Sequence, residues 1–479
     1  MRPRLLRPRT LPQWLLGGVI AFYATVFSYW TVRNNDGYGT FGYDLGIFDQ
    51  GVWLLSRFHT PFVTFMGRDL FGDHTSFILL PFVPVYWIYP SAHVLLVAQS
   101  VAIALTAIPI FLIAKRQLGD EWLAFILAVV VLLQPALQWT NFENFHPDAF
   151  EIPLTALVLL FMLESRWTPY FVSVALLLSV KEDASLVVFA IGVYVAICRN
   201  RKIGLITCAA GVGYGALAVY GILRWINGVG PVTGYRIPYG GLGGVVRTAF
   251  THPVRFYNYL TTDSRPWYIW QLLAPLALLS LLVPAIALLA IGPFAVNMIS
   301  NFGYQHRIEF HYSTAIVSIL AVAAVVGIAR IRWEFPRYLA TGTIAFTSLL
   351  TAYLWGPTPW ARHPAPIADP GSPVLRYVAA AIAHIPANAS VSSFYGYAVH
   401  LDHRDEIYNF PVPWVAQNWN TFKQEGQRLP QADHIDYVIV PPDAGGDPVN
   451  QQVLAEIRPD YTTVYSSPYV IVLKHITAP

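Results

Sequence analysis

The chain has 479 residues, of which 55% are hydrophobic and only 12% charged; soluble globular domains carry roughly 25% charged residues. With a mean hydropathy of +0.47, a wholly soluble protein is excluded. Thirty Lys plus Arg against 27 Asp plus Glu leave a formal charge of +3, too small a surplus for a nucleic-acid binder, so positive charge informs by where it sits.

Arg2, Arg4, Arg7 and Arg9 precede an apolar run from Leu11 to Val32. The run is long for a signal-peptide core and no small-residue cleavage site follows it, so it reads as a retained anchor with a cytoplasmic N-terminus. Residues 33–90 reverse the sign, with Asp36, Asp44, Asp49, Asp69 and Asp73 against Arg33, Arg57 and Arg68, which predicts an external loop. Within it, Ile47 to Phe58 has a short helical apolar pattern predicted to lie in the membrane interface. Phe77 to Tyr89 is apolar but interrupted by Pro81 and Pro84, which predicts a partly inserted or re-entrant segment.

A crossing needs about 20 mainly apolar residues, and this length predicts about 11 spanning helices. They fall near 11–32, 91–114, 121–138, 148–164, 168–180, 185–199, 203–225, 268–283, 284–300, 312–330 and 338–356. The segments 168–180 and 185–199 are short, and 268–300 fits either one tilted helix or a hairpin bending near Pro284. Inner loops then hold Lys115, Arg116, Arg166, Arg199, Arg201, Lys202, Arg330, Arg332 and Arg337, opposed only by Asp120, Glu121, Glu164 and Glu334, in keeping with the positive-inside rule. A second external loop covers 226–267. Cys198 and Cys208 flank a basic loop and support neither a disulfide framework nor a thiolate metal cluster.

After Gly356 a Pro-rich linker leads into a tail of mixed polarity. Val374 to Ile385 predicts a helix, and Ser390 to Phe394, Tyr437 to Val440 and Tyr469 to Leu473 have the β-branched runs of strands. The expected fold is therefore mainly α: a polytopic transmembrane bundle over residues 1–356, followed by a small extracytoplasmic α/β domain over 357–479.

Ionisable residues near hydrocarbon are costly and tend to mark working sites. Five polar clusters fall on the predicted external face: Tyr43 to Gln50, Gly72 to His74, Asn144 to Asp148, Lys181 to Asp183 and His306 to Tyr312. If that topology holds, they converge in one pocket. Asp44, at the start of the predicted interfacial helix, suits either a helix cap or a fixed general base. Asp49, one turn on, suits a second carboxylate or an ordinary polar residue. Lys181 can neutralise a phosphate, snorkel to the membrane surface, or pair with Glu182 and Asp183. His74, His146, His306 and His311, with Asp73, Glu143 and Glu309, are compatible with a divalent metal but match no zinc spacing and do not require one. They equally suit hydrogen bonds to a substrate hydroxyl or phosphate. Arg236, Arg247, Arg255 and Arg265, interleaved with aromatics, fit phosphate and sugar contacts or anionic headgroups. Gly240 to Gly244 follows no strand and reads as a flexible turn.

Tyr43-Asp44-Leu45-Gly46 with Asp49-Gln50, His74, Phe145-His146-Pro147, Lys181-Glu182-Asp183, His311-Tyr312, Ile385-Pro386-Ala387-Asn388-Ala389 and Asp436-Tyr437-Val438 stand in this order along the chain. In these residues the sequence resembles a large family of prokaryotic multi-pass membrane proteins, classed as a domain of unknown function and grouped with GT-C glycosyltransferases. Two departures are Thr75-Ser76-Phe77, where Phe-Ser-Pro is frequent, and Lys181, where arginine is common. The resemblance implies a plasma-membrane (inner-membrane) enzyme that moves a sugar from a polyprenyl-phosphate donor to a cell-envelope acceptor. It places the catalytic base at Asp44. Tyr43, Asp49, Gln50, His74, His146, Asp148, Glu182, Asp183, His311 and Tyr312 are then expected around the substrate, and Lys181, Arg236 and Arg265 at the phosphate. The rival expectation is a transporter or flippase of a lipid-linked or other amphiphilic substrate. Transporters favour midplane sites in paired repeats, and no repeated halves stand out here.

Overall fold

The computed structural model describes residues 10–228, 232–420 and 424–477; the arginines at 2, 4, 7 and 9 lie outside them. Each predicted apolar segment is helical for most of its length. Helix Leu11–Asp36 begins with Pro12 in its first turn, where the missing N–H is not needed. Leu16, Tyr23, Phe27 and Thr31 bury one stripe, while Trp14, Phe22 and Tyr29 stay exposed. Such an outward apolar face suits a helix surrounded by lipid.

Leu11–Asp36, Ala92–Leu118, Arg201–Asn227 and His311–Ala329 are long and apolar enough to cross a membrane on their own, and Glu121–Leu132 with Pro135–Phe142 makes a further span bent by 46°. Trp167–Leu178 and Ala184–Cys198 are shorter. Thr314–Ala329 is buried on every side and forms the centre of the bundle. Ala184–Cys198 lies close against Arg201–Ala216, where a Cβ on Gly204 would collide with the Ala196 backbone, so only a bare Cα permits this approach.

The stretch 268–300 is neither one tilted helix nor a simple hairpin. Arg265–Leu273 is α-helical, 3-10 turns follow at Ala274–Leu276, Leu279–Leu282 and Leu288–Ala290, and Ile291–Ile299 resumes the helix. Pro275 and Pro284 cannot donate to a helical ladder, and Ala277 and Leu278 are left-handed. Irregular backbone at membrane depth persists where protein satisfies it. Here Ser348 and Thr347 donate to the Pro275 carbonyl at 2.7 and 3.0 Å.

Charged contacts mark one end of the bundle: Lys115 pairs with Glu121 and Arg116 with Glu164, Thr10 donates to Glu121, and Tyr338 donates to Asp120 at 3.1 Å. The predicted polar clusters gather at the other end. There helix Ile47–Ser56 is largely buried, so its apolar residues are used against protein rather than on a free interfacial face. Phe77–Phe82 and Val83–Ile88 form the short, proline-broken apolar segment read in the sequence, with Leu80, Trp87 and Ile88 exposed.

The C-terminal region carries a five-stranded mixed sheet. Its strands are β3 (Val391–Ser393), β4 (Ile407–Asn409), β5 (Tyr437–Val440), β6 (Tyr461–Ser466) and β7 (Ile471–His475), in the order β4-β3-β5-β7-β6; β1 (Phe62–Val63) and β2 (Arg68–Asp69) make a separate small hairpin. β3 runs parallel to β4 and β5, and β7 antiparallel to β5 and β6. Strand β7 starts two residues later than its apolar run because Ser467 and Val470 close a turn. Alternation along β5 divides two cores. Tyr437 and Ile439 join Leu45, Phe48, Phe65 and Tyr86 from the loop after the first helix, whereas Val438 and Val440 face Val453 and Ile457 of helix Pro448–Ile457. One face of the sheet therefore shares its core with residues 45–96 as well as with helix Leu375–Ile382.

Candidate active site

The site begins with a backbone irregularity. Between Gly42 and Gly46 the chain makes a wide turn in which Asp44 has φ 68° and ψ −99°, a conformation costing about 1–3 kcal/mol for a residue other than glycine. Phe65 enforces the turn: a Cβ on Gly42 or Gly46 would lie 2.8 Å from its ring. Helix Ile47–Ser56 is entered through Gly46, with no side-chain cap. Asp44 therefore does not cap the helix. Its side chain, 43% exposed, turns into a cavity, 3.4 Å from Nε2 of His146.

The cavity has a volume of about 440 Å³ and draws on all the predicted clusters, including Tyr43, Asp44, His74, His146, Asp148, Lys181, Arg236, His311 and Tyr312. His146 stacks on His311 with ring centroids 3.7 Å apart. The His146 backbone N–H donates to Gln99 Oε1 at 2.9 Å, and the His311 N–H to Glu143 Oε2 at 2.6 Å. Burial pushes the Glu143 carboxyl up to about 8, against the pull of His146. Burial alone would lower His146, but Glu143 and Asp44 outweigh it and raise the imidazole to about 9. Glu143 and His146 therefore both favour keeping a proton between them, with Asp44 Oδ1 3.4 Å from the imidazole.

On the opposite wall Lys181 Nζ is 3.1 Å from Asp148 and 3.9 Å from Asp183. Burial opposes its charge, but the neighbouring carboxylates keep the ammonium well above its ordinary value. His74 Nδ1 lies 2.7 Å from Glu182; despite burial, His74 and Lys181 hold the Glu182 carboxyl down at about 2. Arg68, 2.7 Å from Asp73, also donates to the Asn420 carbonyl, and Tyr43 Oη donates to Gln417 O at 3.0 Å. The C-terminal region thus supplies part of the wall. Arg236 lies over the Phe302 ring at 4.3 Å and donates to Tyr312 Oη at 3.4 Å. Among the described residues no carboxylate pairs with it.

A second cavity, about 670 Å³ and mainly apolar, opens beside the first between helices Ala184–Cys198, Arg201–Ala216 and Ile291–Ile299. Phe189, Val212, Val219, Val296 and Ile299 line it, and it shares His74, Lys181, Arg236 and Tyr312 with the polar cavity. Glu182 and Asp183 lie on this side.

Three expected residues are elsewhere. Asp49 is 1% exposed and bonded to Tyr86 and His403; Gln50 bonds Thr64 and the Arg404 carbonyl. Both fasten the C-terminal sheet. Arg265 is 1% exposed and spends its guanidinium on Met298 O, Ser300 O and Asp263, so it holds the broken 268–300 stretch. His306, named among the metal donors, binds Ser264 instead. Conversely Arg68, Phe302, Tyr304 and Asn418 also line the cavity, although none of the expected clusters contains them. Nothing in their spacing marked them, because a hairpin, an aromatic turn and a distant domain bring them in.

Glu143, His146 and His311 each offer a metal-donor atom within 4.8 Å of the others. The two rings lie nearly parallel, 20° apart, and imidazole lone pairs lie in the ring plane. A shared ion would need one ring to turn.

A family model described as "Predicted membrane protein (DUF2079)" matches residues 39–458. Among solved structures, the chain is similar to ArnT from Cupriavidus metallidurans bound to undecaprenyl phosphate, with a TM-score of 0.54, 11% identity, and 98% of this chain and 100% of that chain covered. It is similar to the same protein in the apo state, with a TM-score of 0.54, 12% identity, and coverage of 96% and 98%. At such identity the likeness is one of fold, the ArnT-like GT-C architecture of a helical membrane part followed by a small strand-containing region. No curated protein matches the sequence.

Proposed function

Because this chain belongs to the DUF2079 family of predicted membrane proteins and has a GT-C fold, we propose that it is a membrane glycosyltransferase using a sugar carried on polyprenyl phosphate. One observation carries the reading: a polar cavity and an apolar groove meet at His74, Lys181, Arg236 and Tyr312. A phosphate joined to a sugar on one side and a long hydrocarbon on the other fits that junction. The undecaprenyl phosphate bound by the structurally similar ArnT supports the same class of lipid. The cavity volume falls within the range of about 300–1,000 Å³ usual for small-ligand sites.

In the proposed reaction an acceptor hydroxyl attacks the anomeric carbon as Asp44 takes its proton. The bond from that carbon to the phosphate oxygen breaks, polyprenyl phosphate leaves with the electron pair, and the anomeric centre inverts. A phosphate leaving group needs positive charge rather than a proton. Arg236, with no carboxylate partner among the described residues, is the principal source; Lys181 contributes less because Asp148 and Asp183 already oppose it. His146 orients Asp44 from 3.4 Å. The cavity end faces outward, and the unit 357–479 covers it on the side where a cell-envelope acceptor approaches.

The test is release of polyprenyl phosphate from a panel of polyprenyl-phosphate sugars by protein purified in detergent or lipid, with cell-envelope acceptors present. Wild type should release it and Asp44→Asn should not. Release unaffected by Asp44→Asn refutes the catalytic assignment; absent release, with substrate movement across proteoliposomes, replaces the transferase with a transporter.

A further inference from the structure

A second cluster of metal-donor side chains lies outside the cavity, where the loop after the first helix meets the C-terminal sheet. Asp49 is 1% and Asp402 2% exposed. His403 Nε2 is 3.3 Å from Asp49 Oδ1 and 3.9 Å from Asp402 Oδ1, and the donor atoms of all three residues lie within 4.8 Å of one another. Asp402 Oδ2 is buried with no hydrogen-bond partner among the described residues. The nearby Arg404 forms no ion pair with Asp402, because it directs its guanidinium to the Leu401, Ala389 and Pro386 carbonyls. Two adjacent buried carboxylates cannot both stay ionised without a compensating positive charge.

We infer that Asp49, Asp402 and His403 bind one divalent cation of the zinc class, which fastens the C-terminal sheet to helix Ile47–Ser56. The donor set of two carboxylate oxygens and one imidazole nitrogen suits Zn²⁺. Tetrahedral zinc with bonds of about 2.0–2.2 Å sets its donors about 3.3–3.6 Å apart. The Asp49–His403 separation already matches, and a small rotation of Asp402 supplies the third donor. The supporting contacts resemble those around metal ligands generally. Tyr86 donates to Asp49 Oδ1 at 2.6 Å, and the His403 ring stacks on Trp53, 9° from parallel with centroids 5.8 Å apart. The His403 side chain is 30% exposed, which leaves a way in from solvent and room for a water as fourth ligand. The inference does not depend on the proposed sugar transfer.

The experiment is equilibrium dialysis of the full-length, chelator-treated protein against Zn²⁺, with metal content and thermal melting measured together. Wild type is expected to bind one zinc at this site and to melt at higher temperature with it. His403→Gln, a partly exposed change that leaves the fold intact, and Asp402→Asn should each weaken binding by at least about tenfold, and Tyr86→Phe by about tenfold. Glu143→Gln, which alters the cavity, should leave this zinc in place. Zinc content and melting that are the same in wild type and His403→Gln, or zinc lost only in Glu143→Gln, would overturn the assignment and leave a carboxylate pair that shares a proton.

Discussion

Asp44 and Asp49 belong to the same short segment and end in opposite environments. Asp44 stands on a turn with positive φ, 43% exposed to a cavity, and its structured neighbour is a histidine. Asp49 lies on the following helix, 1% exposed, locked by Tyr86 and His403 beneath the C-terminal sheet. The cavity wall holds a strained backbone that turns a carboxylate toward the cavity; the seam between loop and sheet uses polar groups to hold two regions together. A carboxylate near a membrane surface is thus no guide to its role until its exposure and partners are known.

The largest expected effect breaks the comparison directly. Asp44→Asn should lower turnover about 10²–10⁴-fold, the range for losing a general base, without lowering the melting temperature, whereas Asp49→Asn should lower melting and leave turnover nearly intact. Equal loss of turnover in both would erase the distinction. Next, Lys181→Met strands Asp148 in a buried site and should cost about 3–5 kcal/mol, read by thermal or denaturant unfolding in detergent. The double variant with Asp148→Leu should recover much of that loss, since a buried pair is often replaceable by apolar residues of similar size.

A smaller effect concerns the lipid. Arg236→Ala should weaken binding of polyprenyl phosphate about ten- to a hundredfold, as expected for removing a hydrogen bond to a charged group, measured by competition with a labelled lipid. The smallest is a slope. The folded state binds protons more tightly at Glu143 (4.5 raised to about 8) and His146 (6.5 raised to about 9). Glu143's contribution is complete below pH 4.5 and lost as pH rises through about 8; His146's is complete below 6.5 and lost through about 9. Melting temperature should therefore fall from about pH 4.5 to about pH 9, and less steeply in Glu143→Gln.

Much of the site was legible because membrane burial is selective about charge. Asp44, His74, His146, Lys181 and His311 stood out as ionisable residues at the ends of apolar runs, and the structure brings them to one cavity. Asp49 and Arg265 look the same by that criterion, and the polar Gln50 stands beside Asp49, yet their partners come from residues 403–404 or 298–300. Helix Ile47–Ser56 misled for a related reason: an amphipathic pattern states that one face is covered, and it does not state by what. Strands β4 and β6 went unread because one is three residues long and the other is a largely exposed edge strand with little apolar alternation.

Composition and the length of apolar runs by themselves determined that this is a multi-pass helical membrane protein, because hydrocarbon admits only backbone that satisfies its own hydrogen bonds. The order of its short motifs determined the family it resembles. Tertiary structure alone decided that 268–300 is a broken stretch held by Arg265, Thr347 and Ser348, and that the C-terminal sheet shares a core with residues 45–96. It alone decided which carboxylate reaches the cavity. Those outcomes rest on contacts between residues far apart in the chain, and local pattern carries no record of them.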